Sequence, residues 1–98
     1  MSYASIDSIL LPWAQKHGLD VSSRYRDSDV RSIQIVDRAG KRYQIWIDEP
    51  QGQSVTVHAW DYRRKRRDWH TTQNELEKSL DQARETVLEW CQELTGSE

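Results

Sequence analysis

The stretch from Arg31 to Tyr62 constrains the fold most, because its apolar residues alternate with polar ones. Successive side chains on a β-strand point to opposite faces of the sheet, so this alternation indicates half-buried strands. Two turn signals, at 37–41 and 49–53, divide the stretch into three such strands. The residues that share one parity are Ile33, Ile35, Tyr43, Ile45, Ile47, Val55, Val57 and Ala59. The pattern therefore predicts an antiparallel meander with one apolar face.

The two turns also predict how the strands are aligned. The turn at 37–41 contains a glycine suited to positive φ, and it places Ile33 opposite Ile45. The second turn is longer and looser, and the pairing that it favours places Ile47 opposite Val55. In both alignments every inward residue meets another inward residue.

Amphipathic segments flank the meander on both sides and predict two helices. The first has its apolar stripe at Ile6, Ile9, Leu10, Trp13, Ala14 and His17. The second runs from about Gln73 to Leu94, with its stripe at Leu76, Leu80, Ala83, Val87, Cys91 and Leu94. Thr72 and Glu75 have the spacing of a capping box at the start of this helix.

A weaker alternation over 19–26 predicts either a further strand or a loosely ordered arm. The element order is then α-β-β-β(-β)-α in one domain, 1–98. With no third layer available, both helices must cover the apolar face of the sheet and leave the other face open. The expected fold is a two-layer α+β sandwich.

Composition and motifs exclude several classes of protein. One cysteine, Cys91, rules out an internal disulfide and a four-cysteine zinc site. No run is apolar enough for a signal peptide or a membrane span, so the expected location is cytoplasmic, with no membrane partner. The histidines at 17, 58 and 70 lack metal-ligand spacing, and no glycine-rich phosphate loop occurs. We therefore expect no enzyme, metal, cofactor or small-molecule substrate.

The open face carries the first group of candidate binding residues. The alternation of side chains along the strands places five large side chains on this face: Arg42, Trp46, His58, Trp60 and Tyr62. Exposed indole rings are unfavourable in water, since burying a large apolar side chain is worth roughly 1.5–3 kcal/mol. One interpretation is that these side chains form a surface that binds a partner. The alternative is cross-strand pairing alone, with Arg42 stacked on Trp60.

A basic run forms the second candidate group: Arg63, Arg64, Lys65, Arg66 and Arg67. The run lies in the basic part of the chain. Residues 24–67 hold eleven Lys and Arg against six Asp and Glu, whereas residues 68–98 form an acidic part, with two Lys and Arg against eight Asp and Glu. The run is either a solvated strand end or loop, or a phosphate-binding segment that leads to the N-terminus of the last helix.

Two functions follow from these groups. The first is a protein-interaction module that uses the open face, either for self-association or to bind another protein. The alternative is nucleic-acid binding through the sheet-face tryptophans and the basic run. The overall charge of −2 and the acidic last helix favour the first.

Overall fold

A computed structural model describes residues 3–26 and 28–96, and within these ranges it leaves out the side chains of Tyr25 and of 93–96. Its elements, in chain order, are α1 (Ala4–Lys16), β1 (Val21–Tyr25), β2 (Ser28–Val36), β3 (Arg42–Ile47), β4 (Ser54–Trp60), β5 (Arg66–Thr72), a 3₁₀ turn (Gln73–Glu75) and α2 (Leu76–Gly96).

The five strands form one open antiparallel sheet in the order β1-β2-β3-β4-β5. Both helices pack on the same face, so the predicted two-layer α+β sandwich is confirmed. The strand predicted over 19–26 is also present, as β1. We call the side under the helices the covered face and the other side the open face.

The covered face holds the core, as the alternation predicts. Seven of the eight predicted inward side chains are buried, and Ile35 is partly buried. The helices contribute Ile6, Leu10, Trp13, Ala14, Leu76, Leu80, Ala83 and Val87 to the same cluster. Ile33 pairs with Ile45, so the predicted alignment of β2 and β3 is confirmed.

The predicted alignment of β3 and β4 is wrong by two residues. Ile47 pairs with Val57 rather than with Val55. The connecting turn closes on itself, because backbone bonds of 2.9 and 3.0 Å join Gln51 and Ser54 in both directions. A shift of two keeps every side chain on its own face, so the alternation of the sequence could not reveal it.

The fifth strand was not predicted from the sequence. The inward positions of β5 are Arg67, Trp69 and Thr71, which pair with inward residues of β4. Trp69 is the only one of these three with a large apolar side chain, and it packs partly buried against the core. The Arg67 guanidinium carbon lies 5.4 Å from the centroid of the Trp69 ring. A polar strand of this kind gives little hydrophobic periodicity.

Helix α2 begins close to the predicted position, but the predicted capping box is wrong. Thr72 occupies the N-cap position of the 3₁₀ turn and makes no side-chain capping hydrogen bond. Thr72 is at the same time the last residue of β5, where it pairs with Ser54. The chain therefore passes from strand to helix without a capping side chain from Thr72.

Polar contacts fix α1 to its neighbours. The Trp13 indole Nε1 donates to Asp81 Oδ1 on α2 at 2.8 Å. The Arg31 guanidinium on β2 donates to both carboxylate oxygens of Asp7 on α1, at 2.8 and 2.9 Å. Within the described ranges, neither helix has the length and apolar character needed to cross a lipid bilayer.

Candidate functional site on the open sheet face

Four candidate residues lie on the open face, as the alternation of the sequence predicts: Arg42, Trp46, His58 and Trp60. Their cross-strand neighbours differ from the predicted ones. The cross-strand partner of Trp60 is Gln44 rather than Arg42, and Trp46 lies opposite His58. The predicted stacking pair of Arg42 and Trp60 is therefore wrong, as a direct consequence of the two-residue shift. Arg42 is exposed, and no ion pair involves it within the described residues.

His58 lies at the centre of this face and is only 7% exposed. Its Nδ1 is 2.5 Å from Asp68 Oδ1, and its Nε2 is 2.7 Å from Asp48 Oδ2. A neutral imidazole has one N–H and can donate to one of these carboxylates, whereas an imidazolium donates to both. His58, which the sequence predicts as a binding residue, therefore has both ring nitrogens in contact with carboxylates of this chain and little surface of its own for a partner.

Trp46 and Arg66 complete the cluster around this histidine. The rings of Trp46 and His58 stack, with centroids 4.5 Å apart and planes inclined by 16°. The Arg66 guanidinium carbon lies 5.3 Å from the Trp46 centroid, and its Nε donates to Asp68 Oδ1 at 3.2 Å. We call Trp46, Asp48, His58, Arg66 and Asp68 the histidine cluster.

The electrostatics of the histidine cluster are most evident at Asp68. Its hydrogen bond with His58 is the main cause that holds the pKa of Asp68 below the ordinary value. Partial burial opposes this effect, and Arg66 adds to it. Asp68 is not among the predicted site residues, because the sequence pattern predicts no strand over 66–72. The outward residues Arg66, Asp68 and His70 alternate around an inward Trp69, and this alternation is the signal that could have revealed the strand.

Trp60 and Tyr62 lie at the end of the open face next to the β4–β5 turn. Their rings contact each other at 4.7 Å between centroids, with planes inclined by 43°. Tyr62 is 39% exposed, and nearby Val36, which pairs with Arg42, is 55% exposed. We call Val36, Arg42, Trp60 and Tyr62 the aromatic end of the face.

Asp61 organises the turn that follows Trp60. It is buried, and its Oδ1 accepts hydrogen bonds from the backbone N–H groups of Arg63 at 2.8 Å and Lys65 at 3.0 Å. The Lys41 ammonium lies 3.3 Å from Oδ2. Burial alone would raise the pKa of Asp61, but these donors outweigh it and lower the pKa. The turn also holds Tyr62 at φ 66°, a left-handed conformation that is uncommon for a residue with a side chain.

The basic run does not act as one unit. Its members take three positions: the turn for Arg63, Arg64 and Lys65, the open face for Arg66, and the covered side for Arg67. The seven residues of β5 stand between the turn and the start of the 3₁₀ turn and α2, a span of about 20 Å. The predicted approach of five adjacent cations to a helix N-terminus is therefore wrong.

Among the side chains that the structure describes, no group of His, Cys, Asp and Glu is arranged to hold a metal ion. Comparisons with protein-family models, curated proteins and solved structures give no match.

Proposed function

We propose that this protein is a non-enzymatic protein-interaction module whose open sheet face binds a second copy of the same chain. The observation that carries the proposal is the aromatic end, where Trp60 and Tyr62 present a ring pair beside Arg42 at the surface. Trp, Tyr and Arg are the residues that contribute most often to protein–protein binding.

The distribution of charge along β3 supports a second copy as the partner. Arg42 begins the strand, and Asp48 follows its last residue on the same face. The two are six residues, or about 20 Å, apart. Two copies packed face to face about a twofold axis through the middle of β3 place Arg42 of each opposite Asp48 of the other. The surface is thus complementary to itself, as a twofold interface requires.

The size of the face sets the expected strength of association. Five strands about 4.8 Å apart and about 20 Å long cover roughly 500 Å² in projection. Standard interfaces bury about 800 Å² per partner. We therefore expect a weak dimer that forms at micromolar or higher concentration.

The histidine cluster supports a binding role over a catalytic one. Both ring nitrogens of His58 already contact carboxylates, so neither is free to exchange a proton with a substrate. The cluster holds Trp46 in one orientation, and a rigid ring loses little entropy on binding. Within the cluster the two carboxylates of Asp48 and Asp68 face one guanidinium, that of Arg66, so the cluster offers no excess of cations to a polyanion, which favours a protein partner over nucleic acid on this face.

We further propose a cytoplasmic location. Cys91 is the one cysteine of the sequence, so the fold contains no internal disulfide, as is usual for proteins of that compartment.

The proposal is tested by sedimentation of the purified chain over a range of about 1–500 µM. We expect wild type to change from monomer to dimer across this range, and Trp60→Ala to remain monomeric. Leu88→Ala is the matched control, because Leu88 is an exposed apolar side chain on α2, away from the open face, and its loss should leave the dimer intact. A wild type that remains monomeric throughout would overturn self-association.

A charge exchange tests the geometry. Arg42→Glu and Asp48→Lys should each weaken the dimer, and an equimolar mixture of the two should restore it as a heterodimer. If the mixture sediments no differently from the two separate variants, the twofold packing that places Arg42 opposite Asp48 is wrong. Oligonucleotide binding that Trp60→Ala abolishes would instead favour the nucleic-acid function.

A further inference from the structure

A groove lies beside the β4–β5 turn, between that turn and α2. It has a volume of about 270 Å³ and is lined by Lys41, Asp61, Arg63, Arg64, Lys65 and Trp90. Trp90 belongs to α2, so this groove is distinct from the face that we propose to bind a second copy.

The groove has a cationic rim. Arg63 and Arg64 are exposed, and neither takes part in an ion pair within the described ranges. The carboxylate of Asp61 does not oppose an incoming anion strongly, because Lys41 and two backbone N–H groups already contact it. Two guanidinium groups therefore have hydrogen-bonding capacity for an external anion.

The walls of the groove suit a flat apolar ring. They consist mostly of carbon atoms, and half-buried Trp90 provides an aromatic surface. The acids of α2 whose side chains the structure describes lie elsewhere on the helix: Glu77, Asp81, Glu85 and Glu89 are exposed and follow one another at intervals of four residues. Consecutive helical residues differ in direction by about 100°, so even Glu89 does not share the direction of Trp90.

We propose that the groove binds a nucleoside phosphate, with the base against Trp90 and the phosphate between Arg63 and Arg64. The planar guanidinium matches two phosphate oxygens at once, and a base stacks on an aromatic ring whatever its identity. Ligand pockets usually measure about 300–1,000 Å³, and at about 270 Å³ this groove lies just below that range, so it encloses part of one nucleotide unit and leaves the rest at the surface. That unit is either a free mononucleotide or the phosphorylated end of a single strand.

Calorimetric titration with AMP, with inorganic phosphate and with a 5′-phosphorylated oligothymidylate tests the proposal. We expect AMP to bind, and Arg63→Ala/Arg64→Ala to weaken this binding about tenfold or more. Trp90→Ala should weaken the binding of AMP about fivefold or more and leave the binding of inorganic phosphate unchanged. Trp90→Phe keeps an aromatic ring and should retain most of the affinity.

Two comparisons complete the design. Oligothymidylate that binds much more tightly than AMP identifies a single strand as the source of the phosphate, and equal affinity identifies the free nucleotide. Trp60→Ala on the open face should leave AMP binding unchanged. The proposal is overturned if AMP does not bind at millimolar concentration, or if Trp60→Ala removes its binding while the Trp90 and arginine variants do not. Circular dichroism of each variant confirms that the fold is retained.

Discussion

The covered and open faces of the sheet come from the same strands, yet they depend on different information. On the covered face, side chains such as Ile33, Ile45 and Val57 are fully buried, and they need apolar neighbours of suitable volume rather than particular atoms. On the open face, His58 needs specific partners at specific atoms. A two-residue shift of β4 along β3 therefore leaves the covered face apolar but separates His58 from Trp46 and Asp48 on the open face. Parity determines the core, whereas register determines the candidate site.

The largest expected effect is at the centre of the covered face. Ile45 is fully buried on a central strand, so Ile45→Ala leaves a cavity among close-packed residues. We expect the free energy of unfolding to fall by roughly 2–5 kcal/mol, measured by chemical denaturation. A loss under about 1 kcal/mol would show that this position is not tightly packed.

A smaller loss is expected at the centre of the open face. His58→Ala removes the ring that stacks on Trp46 and contacts two carboxylates, but these carboxylates are partly exposed and water can solvate them. We expect a cost of about 1–2 kcal/mol. A double-mutant cycle with Asp68→Ala should show coupling between the two positions. Strictly additive losses would contradict a direct interaction.

Acid should affect the two faces differently. The folded-state pKa of Asp68 is lowered, so its contribution to stability is complete above the unfolded value near pH 4 and is lost as the pH falls through the folded value. We expect Asp68→Asn to flatten the loss of stability below about pH 4, measured by urea denaturation at several pH values. Ile45→Ala carries no titrating group and should keep the wild-type slope. Identical slopes in wild type and Asp68→Asn would show that Asp68 has no shifted pKa.

The smallest effect is expected at Gln44, next to Ile45 but on the open face. Gln44 donates one hydrogen bond to Ser32 at 2.8 Å and is only partly buried. Gln44→Ala should cost well under 1 kcal/mol in thermal or chemical unfolding. A cost equal to that of Ile45→Ala would mean that the two faces are not distinct.

The sequence predicts the covered face well, because its residues are recognised by their apolar side chains, and the alternation of apolar and polar residues can be read directly from the sequence. It does not predict β5, whose inward residues Arg67 and Thr71 resemble those of a loop. Without β5, Asp68 has no position on the sheet, and the partners of His58 cannot be inferred. The contacts of the candidate site depend on β5, which was not predicted, and on the alignment of β3 with β4, which was predicted two residues away from its observed position. The predicted face is nevertheless correct for Arg42, Trp46, His58 and Trp60.

The order of the strands also has a consequence for the kinetics of folding. Each strand pairs with its neighbour in the sequence, so the sheet forms by closing short loops, which favours rapid folding. The contact between Trp13 and Asp81 is different, because it joins residues 68 positions apart. The entropy of closing so long a loop opposes this contact, so we expect it to form late, after the transition state. Substitutions at this junction of the two helices should therefore accelerate unfolding more than they slow folding.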